Sequence, residues 1–232
     1  MKIKRAVVAG GLVLEYIPPK KPSGKVMIFC SGLPSMPGKS DVLKTAARRG
    51  YHAISFRYRG TWESGGKFLD HSPAQDVLDV ICSLEGELVD VWSKEVFRVH
   101  AKEIVVVGSS FGGTAALLCA QDSRVDKVVA LSPVVDWTRQ GETESSDYLL
   151  AVVKNGYGGA FRFGEQDWER LFLGEFYQPI EKIDDIESSK VFIVYTKDDE
   201  VVPAASIDDF IKKVHCKSIC LKKGGHLGVS AI

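Results

Sequence analysis

The sequence predicts an α/β fold, with a mostly parallel β-sheet and helices on both faces. Three observations lead there. Apolar runs at 26–30, 104–107, 128–131 and 191–195 have the near-continuous hydrophobicity of strands buried on both sides. Helix-like segments alternate with these runs, as crossovers between parallel strands require. The chain has 232 residues, 45% hydrophobic and 26% charged, enough for one sizeable core and ordinary for a globular protein.

The elements follow in order. Basic residues at 2–5 followed by an apolar run at 6–14 imitate a secretory leader. However, Glu15-Tyr16-Ile17-Pro18-Pro19 stands where a small-residue cleavage site belongs, and Gly10-Gly11 splits the run into two strand-length pieces. A β-hairpin in a cytoplasmic protein is therefore expected. Residues 40–49 read as a helix ending at Gly50, and 52–58 as a strand. Ser72-Pro73-Ala74-Gln75 reads as a helix start, with Ser as N-cap and Pro at the first helical position. Val77, Leu78, Ile81, Leu84 and Leu88 recur at helical spacing behind it. Residues 114–118 and 206–214 read as helices, and 219–221 as a last short strand.

One stretch breaks the rhythm. Residues 137–187 separate two buried strands by about fifty positions, far beyond an ordinary connection. They carry Tyr148, Tyr157, Phe161, Phe163, Trp168, Phe172, Phe176 and Tyr177. The expectation is a small helical cap inserted at 137–187 into a core formed by 1–136 and 188–232. A packing layer with no part in binding is the plainer alternative.

Composition narrows the function. Thirty basic and thirty acidic residues cancel, so no overall positive field draws nucleic acid or anionic lipid. No apolar stretch reaches the roughly 20 residues a spanning helix needs. Five scattered cysteines, mostly in apolar runs, suggest reduced core thiols in a reducing compartment.

The chemistry-bearing residues lie after the strands. Gly108-Ser109-Ser110-Phe111-Gly112 fits G-x-S-x-G and joins a buried strand to a helix. That is the setting of a nucleophile elbow, in which a serine stands above the sheet and the helix N-terminus turns its amides toward a developing oxyanion. A serine nucleophile needs a base, and the base an orienting acid. His226 follows the last strand in a glycine loop, and Asp198 and Asp199 follow the strand before it. The chain order Ser110, Asp199, His226 is the order expected with this elbow. All three sit at carboxyl ends of predicted parallel strands, where open α/β sheets place their sites.

On these residues the chain resembles the α/β-hydrolase superfamily, its small serine esterases and acyl-peptidase-like members in particular. The resemblance spans about residues 3–228. It rests on Gly108 to Gly113, on Asp199-Glu200-Val201-Val202-Pro203 matching D-x-x-V-P, on Gly225-His226, and on an arginine–glycine turn at 57–66. It implies an eight-stranded sheet, with Ser110 as nucleophile, Asp199 as acid and His226 as base. Some members take the acid from the strand before the insertion, which here gives Asp136. The resemblance also implies an oxyanion hole from the amides of Phe111 and Leu33. Members usually carry His-Gly in the latter loop, whereas this chain has Ser31-Gly32-Leu33. Only six residues follow His226, so the usual closing helix is not expected, which leaves a sheet face short of cover and allows a homodimer.

The same loop holds a decoy. Gly32 to Ser40 resembles a phosphate loop, but five residues rather than four separate its glycines, and Pro34 and Pro37 lack the amides that cradle phosphate. Neither a metal motif nor a dinucleotide fingerprint occurs, so no cofactor is implied. The expected function is a serine hydrolase that cleaves uncharged short-to-medium acyl or aryl esters through an acyl-enzyme. Trp62 is a further candidate wall of the substrate pocket. Peptidase, thioesterase or lactonase action on the same residues, or ligand binding without catalysis, are the alternatives.

Overall fold

A computed structural model describes residues 2–21, 23–139, 141 and 145–229. Strands β1 (Lys4–Val8) and β2 (Leu12–Ile17) form the expected antiparallel hairpin. Gly10 and Gly11 turn it at φ 70° and 75°, a region that side chains with a Cβ avoid. Strand β3 (Lys25–Cys30), helix α1 (Ser40–Arg48), β4 (His52–Phe56) and helix α2 (Pro73–Ser83) follow as read from the sequence. Pro73 opens α2, but the Ser72 side chain makes no capping bond. Helix α2 stops at Ser83, and Leu88 is the first residue of β5 (Leu88–Val89), not a continuation of the helical face. Strand β5 pairs with β6 (Val96–Phe97) in a two-residue hairpin. Then come β7 (Glu103–Ser109), α3 (Phe111–Leu118), β8 (Lys127–Leu131), α4 (Ser146–Val152), α5 (Glu165–Phe172), β9 (Val191–Thr196), α6 (Ala204–Val214), β10 (Lys217–Leu221) and the single turn α7 (Gly225–Gly228).

Eight strands make one sheet in the order β1-β2-β4-β3-β7-β8-β9-β10. From β4 to β10 every pairing is parallel; β2 joins β4 antiparallel. The order reverses between β3 and β7, which lie side by side with Cys30 opposite Gly108. A crevice opens beyond the carboxyl ends at such a switch point. The loop after β3 and the serine turn after β7 both lie there.

Alternation along the strands builds two layers. Val26, Ile28, Ile54, Val106, Val128 and Ile193 face the large core that α2, α3 and α6 close. Ile17 and Ala53 face the other way, against Leu43, Ala46 and Ala47 of α1. Beyond α1 that second face carries a groove of about 520 Å³ lined by Val105, Val107, Val129 and Leu131. Among the described residues, no helix is long and apolar enough to cross a membrane.

The segment between β8 and β9 folds mainly as α4, a π-helical turn (Val153–Tyr157) and α5, with a one-residue bridge from Phe161 to Thr61. Its aromatics pack chiefly on one another and on the core. Trp168 is 1% exposed and stacks on Phe163 and Phe172, while Phe172 and Tyr177 meet Trp137. Phe161 and Phe163 pack on Phe68. Of the nine aromatics between β8 and β9, Tyr148 alone is largely exposed.

Candidate active site

The site begins with a strained backbone. Ser110 has φ 52° and ψ −118°, between the end of β7 and the start of α3. A non-glycine residue keeps such a conformation only where its surroundings enforce it. Here Ser110 N–H donates to the Leu131 carbonyl, and the Ser110 carbonyl accepts from Gly113 and Thr114. The flanking glycines make room for the turn. A Cβ at Gly108 would lie 1.9 Å from the Gly112 carbonyl oxygen, and one at Gly112 would lie 2.1 Å from that of Cys30. The G-x-S-x-G spacing is thus a steric requirement of a strand and helix meeting this tightly.

Phe111 begins α3 and is buried beneath the site, where its ring meets Tyr58, Trp137 and Tyr177. The loop after β3 lies against Ser110, since a Cβ added to Gly32 would stand 3.5 Å from the Ser110 Cβ. Tyr58 braces that loop by donating to the Ser31 carbonyl at 3.2 Å. Trp62 braces it from the other side, its indole N–H donating to the Ser35 carbonyl at 3.1 Å. The Trp62 ring lines a cavity beside Leu33, Phe111 and Phe161, behind the loop rather than beside Ser110.

His226 and Asp199 meet directly. Nδ1 of His226 lies 2.9 Å and 3.1 Å from the two carboxylate oxygens of Asp199. The Asp199 side chain is fully buried, and it also accepts the amides of Val201 and Val202 at 3.0 and 2.8 Å. An ionised carboxylate only accepts, so Nδ1 donates this bond, and the neutral imidazole then carries its lone pair on Nε2. Burial pushes the Asp199 carboxyl up, but bonds from His226 and the Val202 amide outweigh it and hold it below the usual carboxylate range.

The alternative carboxylates are engaged elsewhere. Asp136 accepts from the Thr138 amide and hydroxyl and from the Gln178 side chain, and pairs with Arg139. Asp198 accepts the amides of Gly224 and Gly225 at 3.2 and 2.9 Å. It shapes the turn that carries His226, a task the sequence reading did not foresee. Adjacent carboxylates ahead of a Gly-Gly-His turn were the available clue.

Ser110 and His226 line one cavity of about 460 Å³, together with Gly32, Leu33, Lys39 and Tyr157. Among the described residues no hydrogen bond joins Ser110 to His226. Such bonds are often long before substrate binds. On the other side of Ser110, Phe111, Trp137, Leu149 and Phe172 bound a space of about 50 Å³. Of the nine aromatics between β8 and β9, Trp137, Tyr157 and Phe172 line cavities that touch Ser110. Phe161, Phe163, Trp168, Phe176 and Tyr177 supply packing, and Tyr148 is exposed. No three His, Cys, Asp or Glu side chains cluster as metal ligands among the described residues.

A parallel sheet with a strained serine turn at its switch point and a histidine–carboxylate pair beyond its last strands defines an α/β-hydrolase fold. Comparison with known proteins agrees. The sequence profile of the Alpha/beta hydrolase family matches residues 27–230, and the chain belongs to that family. A search of curated protein sequences finds no significant match. Many solved structures share the fold. An esterase from Pyrococcus furiosus has TM-score 0.68 and 17% identity, over 97% of this chain and 83% of that one. An N-formylmaleamic acid deformylase from Pseudomonas putida has TM-score 0.69 and 14% identity, over 98% and 95%. An acylaminoacyl peptidase from Pyrococcus horikoshii has TM-score 0.66 and 17% identity, over 97% of this chain but 37% of its own.

Proposed function

We propose that the protein is a serine hydrolase that cleaves carboxylic esters with a short acyl group through an acyl-enzyme. The observation that carries the reading is the shared cavity: Ser110 at its strained turn and His226, oriented by Asp199, line the same space. Nε2 of His226 takes the Ser110 proton as Oγ bonds to the carbonyl carbon, and the carbonyl π electrons move onto oxygen. The amides of Phe111 and Leu33 receive that oxyanion, each worth roughly 3 kcal/mol of barrier. The carbon–oxygen bond to the leaving alcohol then breaks, and His226 returns the proton to it. Water repeats the sequence to release the acid. The space of about 50 Å³ beside Phe111 and Trp137 suits an acyl group of a few heavy atoms, and the larger cavity suits the alcohol.

A cytoplasmic setting belongs to the same reading. All five cysteines are free, which suits a reducing compartment, although only Cys30 and Cys119 are core thiols; Cys82 and Cys220 are exposed.

A fluorophosphonate probe tests the reading. The wild type should be labelled at Ser110, as located by peptide mass, and Ser110→Ala should not be labelled. A folded wild type that stays unlabelled and leaves p-nitrophenyl acetate intact would overturn it.

A further inference from the structure

Lys39 is unexplained by the fold. It stands at the N-cap of α1, where Ser, Thr, Asp or Asn is favoured, and its side chain makes no capping bond. A cation there opposes the helix dipole, whose N-terminus carries partial positive charge. Its side chain is half-buried, and burial presses the ammonium below its ordinary value. Among the described residues it has no ion pair and no hydrogen bond from its ammonium. Asp41, the nearest acid in sequence, is 99% exposed and lies 3.9 Å from Lys44. Among the described residues, Lys39 thus has no partner that offsets these three costs.

What Lys39 does have is a place in the cavity of Ser110 and His226. Among the described residues, no Asp or Glu lines that cavity. The space beyond Phe111 differs, because the charged side chains that line it, Asp136 and Arg139, pair with each other. We propose that Lys39 binds an anionic group on the substrate, so that the preferred ester carries a carboxylate on its alcohol portion. This rests on the serine-hydrolase reading and names its substrate class. A carboxylate in the cavity gives the half-buried ammonium a charged partner. The zero net charge of the whole chain gives charged esters no long-range steering, but charge at the site outweighs a molecular average, because Coulomb attraction falls with distance and salt screens it beyond about 10 Å.

The probes are 4-acetoxybenzoate and its neutral methyl ester, which share an acetyl group and differ in one charge. The quantity read is the ratio of their kcat/KM values. In the wild type the anion should be preferred, and Lys39→Gln should lower the ratio about ten- to hundredfold, the worth of a hydrogen bond to a charged group. Lys39→Arg should restore much of it, and Lys39→Met serves if the Gln variant melts early. A ratio unchanged in both neutral variants would overturn the proposal. Calorimetry separates this from failure of the hydrolase reading. Ser110→Ala should bind 4-acetoxybenzoate, and adding Lys39→Gln should weaken binding at least tenfold, whether or not the wild type hydrolyses anything. Equal binding by the two, or none by either, would overturn the role of Lys39.

Discussion

Asp198 and Asp199 hold the same turn by different atoms: Asp198 accepts its Gly224 and Gly225 amides, whereas Asp199 accepts the Nδ1 proton of His226. Neighbours in sequence thus divide the work of shaping a loop and orienting its imidazole. Asp199→Asn should lower kcat by roughly 10⁴-fold, since an amide favours the wrong histidine tautomer. Asp198→Asn and Asp136→Asn keep an accepting oxygen and should each lower kcat less than about tenfold. Turnover of p-nitrophenyl acetate by the three variants checks the ranking, and a larger loss at Asp136 would reverse the assignment.

The lowered Asp199 carboxyl also links stability to pH. A group with a depressed folded value stabilises the fold above its unfolded value, roughly 3.9, and loses that contribution as pH falls through the folded one. Urea unfolding at pH 7 should therefore show wild type more stable than Asp199→Asn. The gap should narrow when the same pair is compared near pH 3.

Glycine substitutions should separate steric need from tolerance. Gly112→Ala drives a methyl to 2.1 Å from the Cys30 carbonyl oxygen and should cost at least about 2 kcal/mol. Gly156→Ala meets nothing within 4 Å and should stay within about 0.5 kcal/mol of wild type. Thermal melts of both variants decide the matter.

Trp168 holds the β8–β9 segment together. Its indole N–H donates to Ser146 Oγ at 3.1 Å, tying α5 to α4. Trp168→Ala should cost roughly 3–5 kcal/mol. Limited proteolysis should then cut 145–186 before it cuts the sheet.

The thiols should fall into classes. Burial pushes the Cys30 and Cys119 thiols far up, so they should resist alkylation until the protein unfolds. Cys82 and Cys220 are exposed and should react in the native protein, which intact-mass measurement after brief iodoacetamide treatment will count.

The sequence by itself determined what is local. Runs such as Val26 to Cys30 are strands because their apolar residues are consecutive, and Pro73 opens a helix because its ring fixes φ. G-x-S-x-G was legible for the same reason, because a short crowded turn admits few residue types, whereas D-x-x-V-P and Gly-His were legible through the family resemblance. The two-residue strands β5 and β6 were not, because two positions cannot display a period. The tertiary structure decided which distant pieces meet. Strand β3 lies between β4 and β7, which puts the Gly32 loop against Ser110. Most aromatics between β8 and β9 became packing rather than pocket wall, because facing rings bury one another. Lys39 stood in the sequence as the tail of a failed phosphate loop. Only the folded chain brings it to the cavity of Ser110 and His226, because the faces that bury together, rather than order along the chain, set which residues share a space.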